Sequence, residues 1–238
     1  MNKVTSGLTG ITTVNGGVLN LNNTASAEKF FGNYETAVSG TGILAGRALL
    51  HGVTVNKGGT IKPGNYTSSI PTGCLKSANS IYCYEGSTAK FFLYNNKGTA
   101  TSRTYLDVAS TLSIAGDIVV EAYGKYVPKI GDTFTLWTAA TFKGEPTSIT
   151  LPELPEGMQW DTTELLQPTG IIKIAEATGI DGITAKGEFE AKVYTVDGVL
   201  LGIISSNKDN LVKDITKLGV QGVCVVKLNN ETVKIVIR

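Results

Sequence analysis

Leu50-His51-Gly52-Val53-Thr54-Val55-Asn56-Lys57-Gly58-Gly59-Thr60-Ile61 is a short apolar alternation, a corner of Asn and Gly, and a second alternation. A period of two marks a strand with one buried face. Asn and Gly enter the left-handed backbone at little steric cost, so they mark where the chain turns. The same unit stands earlier as Leu8-Thr9-Gly10-Ile11-Thr12-Thr13-Val14-Asn15-Gly16-Gly17-Val18-Leu19. This recurrence predicts stacked strand–corner–strand units, each hiding its apolar face on the next. Two similar hairpins in an ordinary β-sandwich binding module are the alternative.

Outward from this unit the chain keeps the same character. Between the copies, Glu28-Lys29-Phe30-Phe31-Gly32-Asn33-Tyr34-Glu35 and Ser39-Gly40-Thr41-Gly42 read as an irregular rung or an inserted loop. Lys62-Pro63-Gly64-Asn65 is a turn, and residues 66–79 read as an exposed excursion. Strands are expected at 80–84, 89–94, 104–108, 111–114, 117–123, 132–137 and 170–174, with a hairpin turn at Asn95-Asn96-Lys97-Gly98. Residues 151–157 are excluded from a central strand because Pro152 and Pro155 lack the ladder N–H. Residues 175–187 read as a boundary. Beyond it come strands at 191–196 and 199–205 around an Asp197-Gly198 turn, a connector at 211–218, and strands at 222–228 and 232–237 around Asn229-Asn230. The fold expected is all-β: a right-handed β-helix or β-solenoid end over 1–177, then a small antiparallel β-sandwich over 178–238. Roughly fifty residues make a small independent core, so the tail is expected to lean on the solenoid end and cap its last open edge.

Composition narrows the function. Hydrophobic residues are 42% and charged residues 17%, too apolar for a disordered tail and too lightly charged for a coiled coil. The 28 glycines suit a fold of many tight turns. With a net charge of +1 and scattered Lys and Arg, there is no basic patch for nucleic acid or an anionic membrane. No apolar run is long enough for a helical membrane span. The composition, rich in Thr, Ser, Asn and Gly and poor in charge, suggests secretion or a cell surface. Residues 4–21 already read as repeat, so the chain is expected to be part of a longer exported protein or a mature segment without its leader.

Chemistry-bearing residues are sparse. His51 is the single histidine, so no His-based metal cluster can form and a Ser-His-Asp triad would hang on it alone. Cys74 and Cys83 lie close in sequence and either form a disulfide or remain free; Cys224 reads as a small buried hydrophobe. A polysaccharide-cleaving β-helix would need carboxylates and cations grouped on one face; Asp107, Asp117 and Asp132, with Arg47 and Arg103 as candidate partners, lie in separate strands or turns and read as solvated turn residues. Glu145, Glu153, Glu156, Asp161 and Glu164 form an acidic stretch without calcium-loop spacing, read as solvated. Tyr82 and Tyr84 share a strand parity, as do Phe92 and Tyr94. Tyr82, Tyr84 and Tyr94 are therefore the candidate shelf for stacking on sugar rings or a partner protein, with core packing the alternative.

Val53-Thr54-Val55-Asn56-Lys57-Gly58-Gly59-Thr60-Ile61-Lys62-Pro63-Gly64-Asn65 resembles the autotransporter-associated β-strand repeat of bacterial passenger proteins. Ile130-Gly131-Asp132-Thr133-Phe134-Thr135-Leu136-Trp137-Thr138-Ala139 and Leu151-Pro152-Glu153-Leu154-Pro155-Glu156-Gly157-Met158-Gln159-Trp160-Asp161-Thr162 are similar to phrases near the end of such passengers. The tail resembles the type IX secretion sorting domain of Bacteroidetes, through Val193-Tyr194-Thr195-Val196-Asp197-Gly198, Leu218-Gly219-Val220-Gln221-Gly222-Val223, Val225-Val226-Lys227-Leu228 and Lys234-Ile235-Val236-Ile237-Arg238. Cys224 stands where that family usually has an aromatic. These resemblances imply a non-enzymatic, adhesin-like surface scaffold without a cofactor. Its partner would be a surface glycan or protein, and the tail would be read by secretion machinery. A carbohydrate-binding or polysaccharide-lyase-like β-helix is the alternative.

Overall fold

The computed structural model describes residues 10–22, 30–31, 34–65, 73–96, 99–124, 126–155, 157–177, 183, 185, 187–228 and 231–237. The chain begins with β1 (Thr12–Val14), β2 (Val18–Asn22), β3 (Phe30–Phe31), β4 (Thr36–Val38) and β5 (Ile43–Leu50). It continues through β6 (Val53–Val55), β7 (Thr60–Pro63), β8 (Gly73–Ser77), β9 (Ile81–Cys83) and β10 (Thr88–Asn96). Next are β11 (Thr99–Ile114), β12 (Asp117–Tyr123), β13 (Thr133–Lys143), β14 (Ser148–Thr150), β15 (Met158–Asp161) and β16 (Thr169–Glu176). The last elements are β17 (Phe189–Thr195), β18 (Leu200–Ser206), α1 (Leu211–Lys217), β19 (Gly222–Leu228) and β20 (Glu231–Ile237). Two compact units form: Met1–Glu153 with Trp160–Lys173, and Leu154–Gln159 with Ile174–Arg238.

The first unit is a parallel β-solenoid with three walls. In the first wall, β1, β4, β6, β9 and the ends of β11 and β13 stack in parallel. Val14, Val38, Val55, Cys83 and Ile114 fall in register there and are buried. In the second wall, Leu44, Ile61, Ala89 and Ile118 lie one above another on β5, β7, β10 and β12. In the third, Ala48, Leu75, Leu106 and Trp137 do the same on β5, β8, β11 and β13. Each Val, Leu or Ile so hidden contributes roughly 1.5–3 kcal/mol. β16 runs antiparallel to β13 and ends the parallel stacking there.

The corner between the first and second walls carries the repeat. Ser39 N–H donates to Val14 O at 2.9 Å and Asn56 N–H to Val38 O at 2.8 Å, so the backbone ladder runs on through the turn. Ile43 N–H donates to Gly17 O and Thr60 N–H to Gly42 O, which places Gly17, Gly42 and Gly59 in one column. A second column, Gly40, Gly58 and Gly86, is joined by Gly40 N–H to Lys57 O and Gly58 N–H to Gly86 O. Gly58 needs glycine twice over: its φ is +80°, and an added Cβ would lie 2.2 Å from Gly40 O.

The two matching copies are separated by one intervening coil, because β4 lies between β1 and β6. The segment Ser39-Gly40-Thr41-Gly42, expected as an irregular rung or a loop, is the corner of that coil. The excursion expected at 66–79 is corrected in part: Gly73–Ser77 is strand β8, paired with β5 and β11. Residues 66–72 lie outside the described residues, as do Lys97 and Gly98 of the expected hairpin turn. The strands around that turn, β10 and β11, do pair antiparallel there, with Leu93 opposite Arg103.

The second unit holds an antiparallel sheet in the order β18-β17-β19-β20. Ala191, Val193, Cys224, Val226, Val233 and Ile235 make its buried face. Leu211 and Ile215 of α1 belong to the same core. The residues expected as a connector are thus a helix, and this helix takes the place of the second sheet of the expected sandwich. Its apolar positions, Leu211, Val212 and Ile215, span little more than one turn, too short to read as a helix in isolation. Asn229 and Asn230 lie outside the described residues, but β19 and β20 pair from Leu228 and Glu231 onward as a hairpin requires. Among the described residues no helix is long and apolar enough to cross a membrane.

Candidate functional site

The outer face of the first wall is a register row: Thr13, Ala37, Thr54, Tyr82, Ser113 and Lys143. Ile81 and Cys83 point inward and are buried, so Tyr82 between them must point out. Thr54 and Ser113 are its neighbours up and down the stack. Both are short, and the tyrosine ring stands above them. Tyr84 occupies the corner place of Asn56 in the next coil, since Tyr84 N–H donates to Val55 O at 2.9 Å. The two rings are near-parallel, with centroids 6.4 Å apart and 16° between planes. Tyr82 is 38% exposed and Tyr84 52%, which sets them apart from the buried aromatics of the solenoid. The side chain of Thr54 donates to Glu35, fixing the polar flank of the pair. The pair offers flat aromatic faces and phenolic hydroxyls, a chemistry of contact.

Tyr94, the third candidate, is elsewhere. It lies on β10, is buried, and its hydroxyl donates to Arg103 O at 3.4 Å. Phe92 shares its face and is also buried, between the edge-on ring of Tyr123 and the Lys62 ammonium 4.8 Å from its centroid. The three-tyrosine shelf is corrected to a two-tyrosine one. The outer face of β10 is covered where that of β9 is bare, and parity alone does not report what covers a face.

The cysteine bridge is not formed. Cys74 and Cys83 are both free and buried. On β8 it is Leu75 that fills the core, so Cys74 points to the opposite side of its wall, beside Tyr105. Cys83 points into the core from β9. Burial pushes each thiol up to about 12, so neither is a thiolate nucleophile at neutral pH. Burial also raises Cys224. An aromatic-disulfide thiol reagent is therefore expected to label the native protein very slowly and all three thiols quickly in guanidinium. Rapid native labelling of two thiols would contradict this placement.

The carboxylates are dispersed and individually satisfied. Asp107 accepts from Thr138 Oγ1 at 3.0 Å and pairs with Lys76 at 3.2 Å. Asp117 accepts from Ser148 Oγ at 2.6 Å, one coil on. Asp132 is buried and accepts at Oδ2 from the Tyr126 hydroxyl at 3.0 Å and from Lys129 N–H at 3.1 Å. Burial, and the hydrogen bond to Asp132, push the Tyr126 phenol up. Arg103 donates from Nε to Thr135 O at 2.9 Å and lies over the Tyr105 ring. These groups tie adjacent coils and turns together. Asp132→Ala is expected to destabilise the first unit by about 2 kcal/mol, because two donors lose a charged acceptor; chemical denaturation measures it.

In the acidic stretch, Glu145 and Glu153 are exposed, while Glu164 pairs with Lys173. Asp161 accepts from Thr163 N–H at 3.0 Å and Oγ1 at 2.7 Å, which holds its carboxyl below the usual range. Glu156 lies outside the described residues. His51 is exposed, with the Asn79 amide 3.1 Å from Nδ1. Among the described residues, no three His, Cys, Asp or Glu side chains converge as a metal site. No protein-family model and no curated protein matches this chain.

Proposed function

We propose that this chain belongs to an exported bacterial cell-surface protein, as a non-enzymatic β-helix that presents an adhesin-like contact face. The Tyr82–Tyr84 pair is the centre of that face, and a surface glycan or protein is its partner. The observation that carries the reading is the register row of the first wall, where short polar side chains leave two near-parallel tyrosines standing out. A parallel stack whose corners are hydrogen-bonded coil to coil is a stiff support for such a face. The resemblance of its phrases to autotransporter-associated repeats, and of the tail to a type IX sorting domain, supports export, with the tail acting as a sorting module.

Export is tested by fusing residues 178–238 behind a folded reporter in a bacterium that has a type IX system. The reporter is expected at the cell surface there and inside cells of a strain lacking that system. Retention in both strains would remove the sorting role.

A further inference from the structure

The two edges of the tail sheet differ in kind. β20 carries Glu231 and Lys234, the charged decoration that keeps a free edge from pairing with other chains. β18, the opposite edge, reads Leu-Leu-Gly-Ile-Ile-Ser-Ser, without a charge or a proline. Among the described residues it pairs with β17 alone. Ile203 is 53% exposed and Leu201 40%, and Val196, Val199 and Leu200 beside them are exposed too. An apolar edge whose pairing with β17 is regular from Gly202 to Ser206 presents a row of N–H and C=O groups there, a template for one more strand.

We propose that this edge is an interface between two copies of the chain, with β18 of one copy antiparallel to β18 of the other about a two-fold axis at Ile203. Charge selects this occupant. A strand with no charge meets its own copy without like-charge repulsion, which the charged edge β20 would not. The register favours it as well. Centred on Ile203, each Gly202 lies opposite the other copy's Ile204, a small residue beside a large one on the buried face. Leu218 already packs over Gly202, its methyls 3.1 Å from where a Cβ would stand. On the outer face the two Ile203 side chains meet as a cross-strand apolar pair. Across the axis, the nearest like charges on that face, Lys192 opposite Ile203 and its symmetry mate, stand three strand spacings apart, about 14 Å. That exceeds the Debye length of about 8 Å at physiological salt. The contact is isologous and closed, so it gives a dimer with an eight-stranded sheet and no fibre.

Sedimentation equilibrium of the full chain over a wide concentration series tests this. A monomer–dimer equilibrium is expected, and Ile203→Lys is expected to weaken it at least about tenfold, because a lysine on each copy meets its mate at the axis. Ile203 is half exposed, so the variant keeps its fold, checked by circular dichroism. Thr232→Lys on the charged edge is expected to leave the equilibrium unchanged. A protein monomeric at every concentration, or a dimer indifferent to Ile203→Lys, would overturn the proposal; Leu201→Lys provides an independent repeat should the first variant misfold.

Discussion

Trp137→Ala is expected to cost the solenoid about 3–5 kcal/mol, the range for removing a fully buried aromatic. Trp137 lies at the end of the column Ala48, Leu75 and Leu106, and no part of it is exposed. Its ring is near-parallel to Phe142, with centroids 5.3 Å apart and 11° between planes, and tilted against Phe91 at 5.9 Å. Nε1–H donates to Gln167 O at 2.9 Å, which ties the turn before β16 to the core. On β16, Gly170 leaves room for the indole: a Cβ there would stand 2.0 Å from the ring. Truncation therefore opens a cavity bounded by Phe91, Phe142 and β16 and also frees the Gln167 turn. Guanidinium denaturation followed by circular dichroism reads the loss, and Trp137→Phe is expected to lose less because most of the volume stays. A variant within about 1 kcal/mol of the parent would mean that this site collapses or is not packed as described.

Gly42→Ala is expected to cost about 1–3 kcal/mol or more, by forced overpacking. Its φ is ordinary, so the effect is purely steric. A Cβ at Gly42 would lie 2.1 Å from Val14 O. That carbonyl already accepts the Ser39 N–H that holds the two coils in register, so it cannot retreat without opening the ladder. Gly16 in the preceding coil gives the control. A Cβ there meets only Thr41 Oγ1 at 3.5 Å, ordinary contact, and Gly16→Ala is expected to stay within about 0.5 kcal/mol of the parent. Equal losses at the two positions would mean that glycine at this corner serves turn propensity and not the close approach of coils.

Stacking was legible in the sequence where the corner was spelled with Asn and Gly. Val14-Asn15-Gly16-Gly17 and Val55-Asn56-Lys57-Gly58-Gly59 announce a turn by residue type alone. The coil between them spells the same corner Ser39-Gly40-Thr41-Gly42, and the next spells it Tyr84-Glu85-Gly86-Ser87, where the Ser87 hydroxyl donates to Tyr84 O at 2.6 Å. Any residue type that satisfies the same backbone pattern serves, so the repeat exists in geometry and is blurred in letters. β8 was hidden for a related reason: of its five residues Leu75 alone enters the main core, while Ser77 is buried though polar. At the candidate site, alternation identified Tyr82 and Tyr84 as sharing a face. It could not show that Thr54 and Ser113 would flank Tyr82, because those neighbours come from coils far apart in sequence. The same long-range pairing decides that Tyr94 is covered and that Cys74 and Cys83 face opposite sides.

Residues distant in sequence stand in one straight column up a wall of parallel strands. Thr13 and Lys143 are the ends of such a column, both exposed, with Ala37, Thr54, Tyr82 and Ser113 between them. Nitroxide labels at Thr13→Cys and Lys143→Cys, with the native cysteines changed to alanine, report this span by pulsed electron resonance. Five strand spacings predict a single narrow distance near 24 Å between the backbone positions, extended only by the label arms. A distance beyond roughly 40 Å, or a broad distribution without a peak, would contradict a stacked solenoid of this register.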